Sequence, residues 1–139
     1  MNLKLVTLGG VKLDEAVYSV TIPTIDGEIS VLPSHEPLVT VARDGVITVR
    51  RTKETQEEEF FAISGGVVEI DQTGVRILVD EADHGDDIIE AEPQAALERA
   101  IAARDNADDQ IEREKAKQLI DRHMVRLKVA DLHRRKRRH

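Results

Sequence analysis

Ser34, His35 and Glu36 stand side by side, a hydroxyl, an imidazole and a carboxylate, the three groups from which nucleophilic hydrolysis is assembled. Adjacency argues against that chemistry. Neighbours on an extended segment point in different directions, and no nucleophile-elbow pattern surrounds Ser34. Five histidines, His35, His84, His123, His133 and His139, raise metal binding, but they show neither Cys/His ligand spacing nor a His-Glu-x-x-His pair. There is no Gly-x-x-x-x-Gly-Lys-Ser/Thr loop and no Gly-x-Gly-x-x-Gly, so a standard phosphate cradle is missing. Tyr18, Phe60 and Phe61 are too few to make a base-stacking platform. No catalytic residue and no metal site is therefore expected, which leaves binding as the chemistry to explain.

The segments that position these residues carry more information than the residues do. In Asp26-Gly27-Glu28-Ile29-Ser30-Val31-Leu32-Pro33-Ser34-His35-Glu36-Pro37-Leu38, Gly27 suits a hairpin turn and Ile29, Val31 and Leu32 make a short apolar strand. Pro33 and Pro37 bracket a His-Glu pair that a central strand would not tolerate, so a rigid loop presents it. About thirty residues on, Ser64-Gly65-Gly66-Val67-Val68-Glu69-Ile70 sets a double glycine between two strand-like runs, where backbones bend sharply or approach closely.

Short β-branched runs fill residues 1–82: Leu3–Leu5, Val17–Ile22, Ile29–Leu32, Leu38–Val41, Val46–Val49, Phe60–Ile63, Val67–Ile70 and Val75–Val79. Glycine- and aspartate-bearing turns separate them, the pattern of an antiparallel β-sandwich or flattened barrel over 1–84, with Leu5, Val20, Ile22, Val31, Ile47, Ile63, Val67 and Ile77 in its core. Residues 85–92 form an acidic connector. Helical spacing of Ala96, Leu97, Ala100 and Ile101 after Pro93, a break at Asp105–Asp109, and the run Ile111, Ala116, Leu119, Ile120, Met124, Leu127, Ala130 predict a two-helix hairpin over 93–139 with a basic tail. Its apolar stripes are narrow, so it must lean on the β domain, on a partner, or alternate between them.

Charge follows the same division. Residues 113–139 hold 11 Lys/Arg and 3 Asp/Glu, while residues 1–112 hold 9 and 24, which together make the net −7. A polycationic end seeks an acidic surface, in a protein, a nucleic acid or an anionic membrane. The absence of Cys suits a reducing compartment, and no run of 18 apolar residues exists, so the chain is expected to be soluble or peripheral.

The two glycine-bearing segments, in that order and spacing, resemble the epsilon subunit of the rotary ATP synthases, whose pattern runs roughly Gly-Glu-Ile-Gly-Ile-Leu-Pro-Gly-His-Ala-Pro-Leu and then Ser-Gly-Gly before an apolar strand. Ser30, Ser34 and Glu36 depart from it. The resemblance implies a non-catalytic rotor subunit, with Glu28 and His35 facing the ring of c subunits and Leu38, Val39 and Thr40 against gamma. It also implies a helical hairpin with two positions, one packed on the sandwich and one extended toward the alpha/beta catalytic head. In the extended position Arg122, Arg126, Lys128, Arg134, Arg135 and Lys136 would meet acidic residues of beta and restrain ATP hydrolysis.

Some bacterial relatives hold ATP through an Ile/Leu-Asp-x-x-Arg-Ala motif. Here the Asp and Arg positions fall on Ile89 and Glu92, or on Glu90 and Pro93, which leaves Arg99, Arg122 and Arg126 as weak nucleotide contacts and no cofactor expected. The resemblance places the subunit at the cytoplasmic face of a bacterial inner membrane, touching the membrane only through the complex, with no nucleic acid. The competing interpretation is a free-standing β-sandwich adaptor whose basic tail binds RNA or anionic lipid.

Overall fold

Thr24 organises one of the tight turns of the molecule. Its Oγ1 donates to the Gly27 carbonyl at 2.6 Å and accepts from the Asp26 N–H at 3.2 Å, while Gly27 takes φ +110°, a conformation that side chains resist. The flanking strands are thereby set in antiparallel register, Thr24 opposite Gly27 and Val20 opposite Val31. Local turns of this kind fold the first half of the chain back on itself repeatedly.

The computed structural model describes residues 1–137. Its strands are β1 Asn2–Thr7, β2 Gly10–Ala16, β3 Ser19–Thr24, β4 Gly27–Val31, β5 Leu38–Ala42, β6 Gly45–Arg50, β7 Glu59–Ile70 and β8 Gly74–His84; a 3₁₀ turn at Gly85–Asp87 and helices α1 Ala91–Asp105 and α2 Gln110–Arg137 follow. Arg138 and His139 of the basic tail lie outside the described residues. Strand order is β2-β1-β8-β7-β5-β3-β4, with β6 pairing to both β3 and β7, so the sheet folds over as a flattened barrel. Every pair is antiparallel except β1 with β8, which run parallel. Leu3, Leu5, Val20, Ile22, Val31, Ile47, Val49, Phe61, Ile63, Val68, Ile70 and Ile77 fill the interior.

β7 is one long strand where two shorter runs were expected. It pairs with β6 over residues 59–63 and with β5 over residues 66–70. At the crossing, Gly65 has φ +36° and donates its N–H to Asp44 Oδ1 at 2.8 Å, and Gly66 has φ +151°. A Cβ on Gly66 would lie 1.9 Å from the Leu78 carbonyl oxygen, so the close approach foreseen for the double glycine is real. The glycine pair also resets the inward face. Val68 and Ile70 point to the core, and Val67, expected there, is 40% exposed on the outer surface.

The helices depart from expectation in their edges and faces. α1 begins at Ala91, two residues before Pro93, because proline fits anywhere in a first turn whose N–H groups have no helical partner. Asp109 ends the break as foreseen, accepting the Glu112 N–H at 2.8 Å. On α2 the buried residues are Ala116, Ile120, Val129 and Ala130, while Ile111, Leu119 and Met124 are exposed. α2 packs against α1 and also against β6 and β7, so its buried face is not one straight stripe.

Candidate interaction surfaces

The loop after β4 holds its histidine by local bonds. Ser34 adopts φ +69°, the left-handed conformation that glycine takes most easily, which explains why the related pattern has glycine there. The His35 N–H bonds the Leu32 carbonyl at 3.2 Å, and His35 Nδ1 lies 2.7 Å from the Glu36 carbonyl oxygen. Among the described residues no hydrogen bond joins Ser34 to His35, so the three neighbours form no triad. Glu28 stands exposed on β4, beside Pro23 of β3.

A row of apolar side chains crosses the outer face of the sheet. Register places Val41 of β5 beside Val67 of β7, Val67 beside Leu78 of β8, Leu78 beside Val6 of β1, and Val6 beside Val11 of β2. Val41, Val67, Leu78 and Val11 are all exposed, and Val39 on the same side of β5 is 70% exposed. A contiguous apolar strip on a small chain marks a surface built for a partner. Of the three residues first assigned to such a surface, Val39 looks outward; Leu38 and Thr40 lie opposite Ile70 and Val68, on the core side of β5.

The other half of the barrel carries the hairpin. Ile88, Val129 and Ala130 pack on Ala62, with Val46, Phe60 and Val125 around them. Acidic residues of the connector and β8 meet the basic helix across this seat. Arg126 Nε is 3.3 Å from Asp83, Arg134 Nη1 is 3.1 Å from Glu90, and His133 Nε2 is 2.5 Å from Asp86. Arg134 and Arg135 also pair with Asp131, the latter at 3.2 Å, whereas Lys128 is exposed and Lys136 half-buried. Hence the connector is a docking element and not a loose linker, and two of the arginines expected to meet an external acidic partner are held by acids elsewhere in their own chain.

Arg99, Arg122 and Arg126 converge electrostatically on His123. Burial lowers the proton affinity of His123 most, and Arg126, Arg99 and Arg122 lower it further against an opposing pull from Glu81. Arg122 Nε and His123 Nδ1 are buried without a protein hydrogen bond. The positions that a nucleotide motif would use look different: Ile88 is buried in the seat, Glu90 is taken by Arg134, and Pro93 is buried. Arg51, which sequence reasoning passed over, grips both oxygens of Glu59 at 2.8 and 3.0 Å and also pairs with Glu15. Its hydrogen bonds hold the Glu59 carboxyl below the usual carboxylate range.

Residues 1–85 match the ATP synthase, Delta/Epsilon chain, beta-sandwich domain. The chain belongs to this family. Over 138 residues, 99% of this chain and 97% of its relative, it is 36% identical to the ATP synthase epsilon chain of Chloroflexus aggregans, and over 137 residues it is 35% identical to that of Herpetosiphon aurantiacus. Among solved structures, the Euglena gracilis mitochondrial ATP synthase contains a chain that superposes with a TM-score of 0.77 at 29% identity, covering 92% of this chain and 79% of that one. A Tetrahymena thermophila mitochondrial ATP synthase chain matches at a TM-score of 0.62 and 18% identity, which speaks for the fold alone. The delta/epsilon family assignment therefore covers sandwich and hairpin together, since the epsilon relatives align over almost the whole chain. No helix among the described residues is long and apolar enough to cross a membrane.

Proposed function

We propose that this chain is the epsilon subunit of a rotary ATP synthase, a non-catalytic part of the central stalk. It links gamma to the ring of c subunits during ion-driven ATP synthesis, and it restrains ATP hydrolysis through its C-terminal helices. One observation supports this most: a single fold carries an uncovered apolar face on one half of its barrel and a helix hairpin clamped by ion pairs on the other. The apolar row centred on Val67 and Val39 offers gamma a contact that salt does not weaken, while Leu38 and Thr40 lie on the other side of β5. The loop bearing Glu28 and His35 offers the c-ring polar groups on a stiff support.

In the docked arrangement Arg126 and Arg134 are paired within the chain. When the hairpin extends, these two become available with Arg122, Lys128, Arg135 and Lys136 to acidic residues of beta. The place of action is the peripheral side of a membrane-bound complex, at the cytoplasmic face of a bacterial inner membrane. Co-purification with gamma at several hundred millimolar salt tests the assignment. Retention is expected for the native chain and loss for Val67→Asp; loss of gamma from the native chain at high salt would instead favour an adaptor held by its basic tail.

Nucleotide plays at most a weak part in this reading. With Glu92 exposed and Glu90 bound to Arg134, the connector is too acidic to welcome a triphosphate near Arg99, Arg122 and Arg126. Calorimetric titration with Mg-ATP is expected to give no dissociation constant tighter than about 100 µM.

A further inference from the structure

Strand alternation carries β7 beneath the hairpin: Phe61 and Ile63 face the core, while Ala62 and Ser64 face α2. At Ala62 the contact is dry, closed by Val125, Val129 and Ala130. Two residues further on it changes character. Ser64 is 3% exposed, and its Oγ has no hydrogen-bond partner among the described residues. It lines a cavity of about 10 Å³ together with Glu81 and Asp83 of β8 and Arg122 and Arg126 of α2. Arg122 Nε is buried without a hydrogen bond, and Arg126 Nε lies 3.3 Å from Asp83 Oδ2 without the alignment to make one. Register fixes Ser64 opposite Glu81, and the next residue is tied down by the Gly65 N–H bond to Asp44, so the strand cannot turn its hydroxyl away.

We propose that this cavity binds one water molecule, which bridges Ser64 on the sandwich to Arg122 and Arg126 on α2. Buried polar groups left unpaired are costly, and here they converge from both sides of one interface. Size admits nothing larger, since a bound water needs roughly 10–15 Å³. The lining selects a neutral ligand that both donates and accepts. A guanidinium N–H only donates, a carboxylate only accepts, and a hydroxyl does either. Chloride would suit the arginines but face Glu81 and Asp83; a small cation would suit the carboxylates but face the arginines. Water accepts from the Nε groups and donates to Ser64 Oγ or to a carboxylate, each bridge being nearly as favourable as a direct hydrogen bond. The seat is thereby graded along α2, dry at Val129 and Ala130 and wet at Arg122 and Arg126. The wet end is held through a group that outside water can replace.

The test is magnetic relaxation dispersion of the water oxygen, measured on the full chain in isotope-enriched water. It registers buried waters that stay longer than the protein takes to tumble, and labile protein protons do not contribute. The native chain is expected to show such water, and Ser64→Val, which fills the cavity and removes the hydroxyl, to lose the contribution of one molecule. Arg122→Met should lose the same contribution; it leaves the sandwich core untouched and decides the matter if Ser64→Val does not fold. Equal dispersion in the native chain and the folded variants, or none in the native chain, overturns the site. So does a saturable shift of the Ser64 and Gly65 amide signals with chloride that sulfate at equal ionic strength fails to reproduce, because the occupant would then be an anion. The free chain is measured, so the result is independent of the rotor assignment: a hairpin deletion that leaves hydrolysis unaltered would count against the functional reading alone.

Discussion

Ser34 holds φ +69° with a Cβ in place, an arrangement that costs about 1–2 kcal/mol in most residues. Ser34→Gly should relieve that strain and return part of the gain to a freer unfolded chain, for a net stabilisation of about 0.5 kcal/mol by denaturant titration. A loss of stability would mean that the serine hydroxyl supports the loop. His123 and Glu59 make pH predictions of the same kind. Burial and three arginines lower the pKa of His123 below its ordinary 6.5, so the folded state favours the neutral ring. The stability tied to that neutral ring is full above pH 6.5 and is lost as pH falls through 6.5 toward the lowered value, and His123→Gln should flatten this acid limb in thermal melts. Glu59 is lowered chiefly by the Arg51 hydrogen bonds, so its contribution is present above its ordinary 4.5 and fades as pH falls below it. Glu59→Gln should cost about 1 kcal/mol at pH 7 and little at pH 3, as measured by unfolding at the two values.

Among the elements, β7 and α2 are the ones whose failure would differ most. Gly66→Ala drives a methyl group into the Leu78 backbone and should cost more than about 3 kcal/mol or abolish folding, read from loss of the cooperative melt. Ala130→Glu, by contrast, puts a charge in the hairpin seat and should release α2 to proteases while the sandwich melts as before. The sequence made β7 partly legible, because a double glycine among β-branched residues has few uses. It did not reveal that the two apolar runs are one strand, since Phe60 and Val68 serve different neighbours that only the fold brings together. β2 escaped notice because Leu13 is its one buried residue and a mostly polar edge strand has no alternation to detect. The seat on α2 was misjudged for a related reason: Val125 and Val129 face a sheet whose position no helical period encodes. Glu28 and His35 were visible as a loop pair; Asp83, Asp86 and Glu90 were visible only as an acidic stretch, their basic partners lying some 40 residues away in sequence.

For the molecule as a whole, the core lies almost wholly within residues 1–85, and a fragment of that length should unfold cooperatively without the helices. Deleting residues 111–139 should raise ATP hydrolysis by the catalytic head while leaving gamma bound, with assembly followed by co-purification and activity by phosphate release; unchanged hydrolysis would remove the inhibitory role. The cis pairing of Arg126 with Asp83 and of Arg134 with Glu90 carries a further consequence. Asp83 and Glu90 are tethered competitors, present at an effective concentration in the millimolar range or above whatever the cell contains. Any external acid that captures these arginines must outbid a rival that never diffuses away. Neutralising the rivals, with Asp83→Asn and Glu90→Gln together, should therefore sharpen inhibition of hydrolysis without altering a single residue that touches the catalytic head.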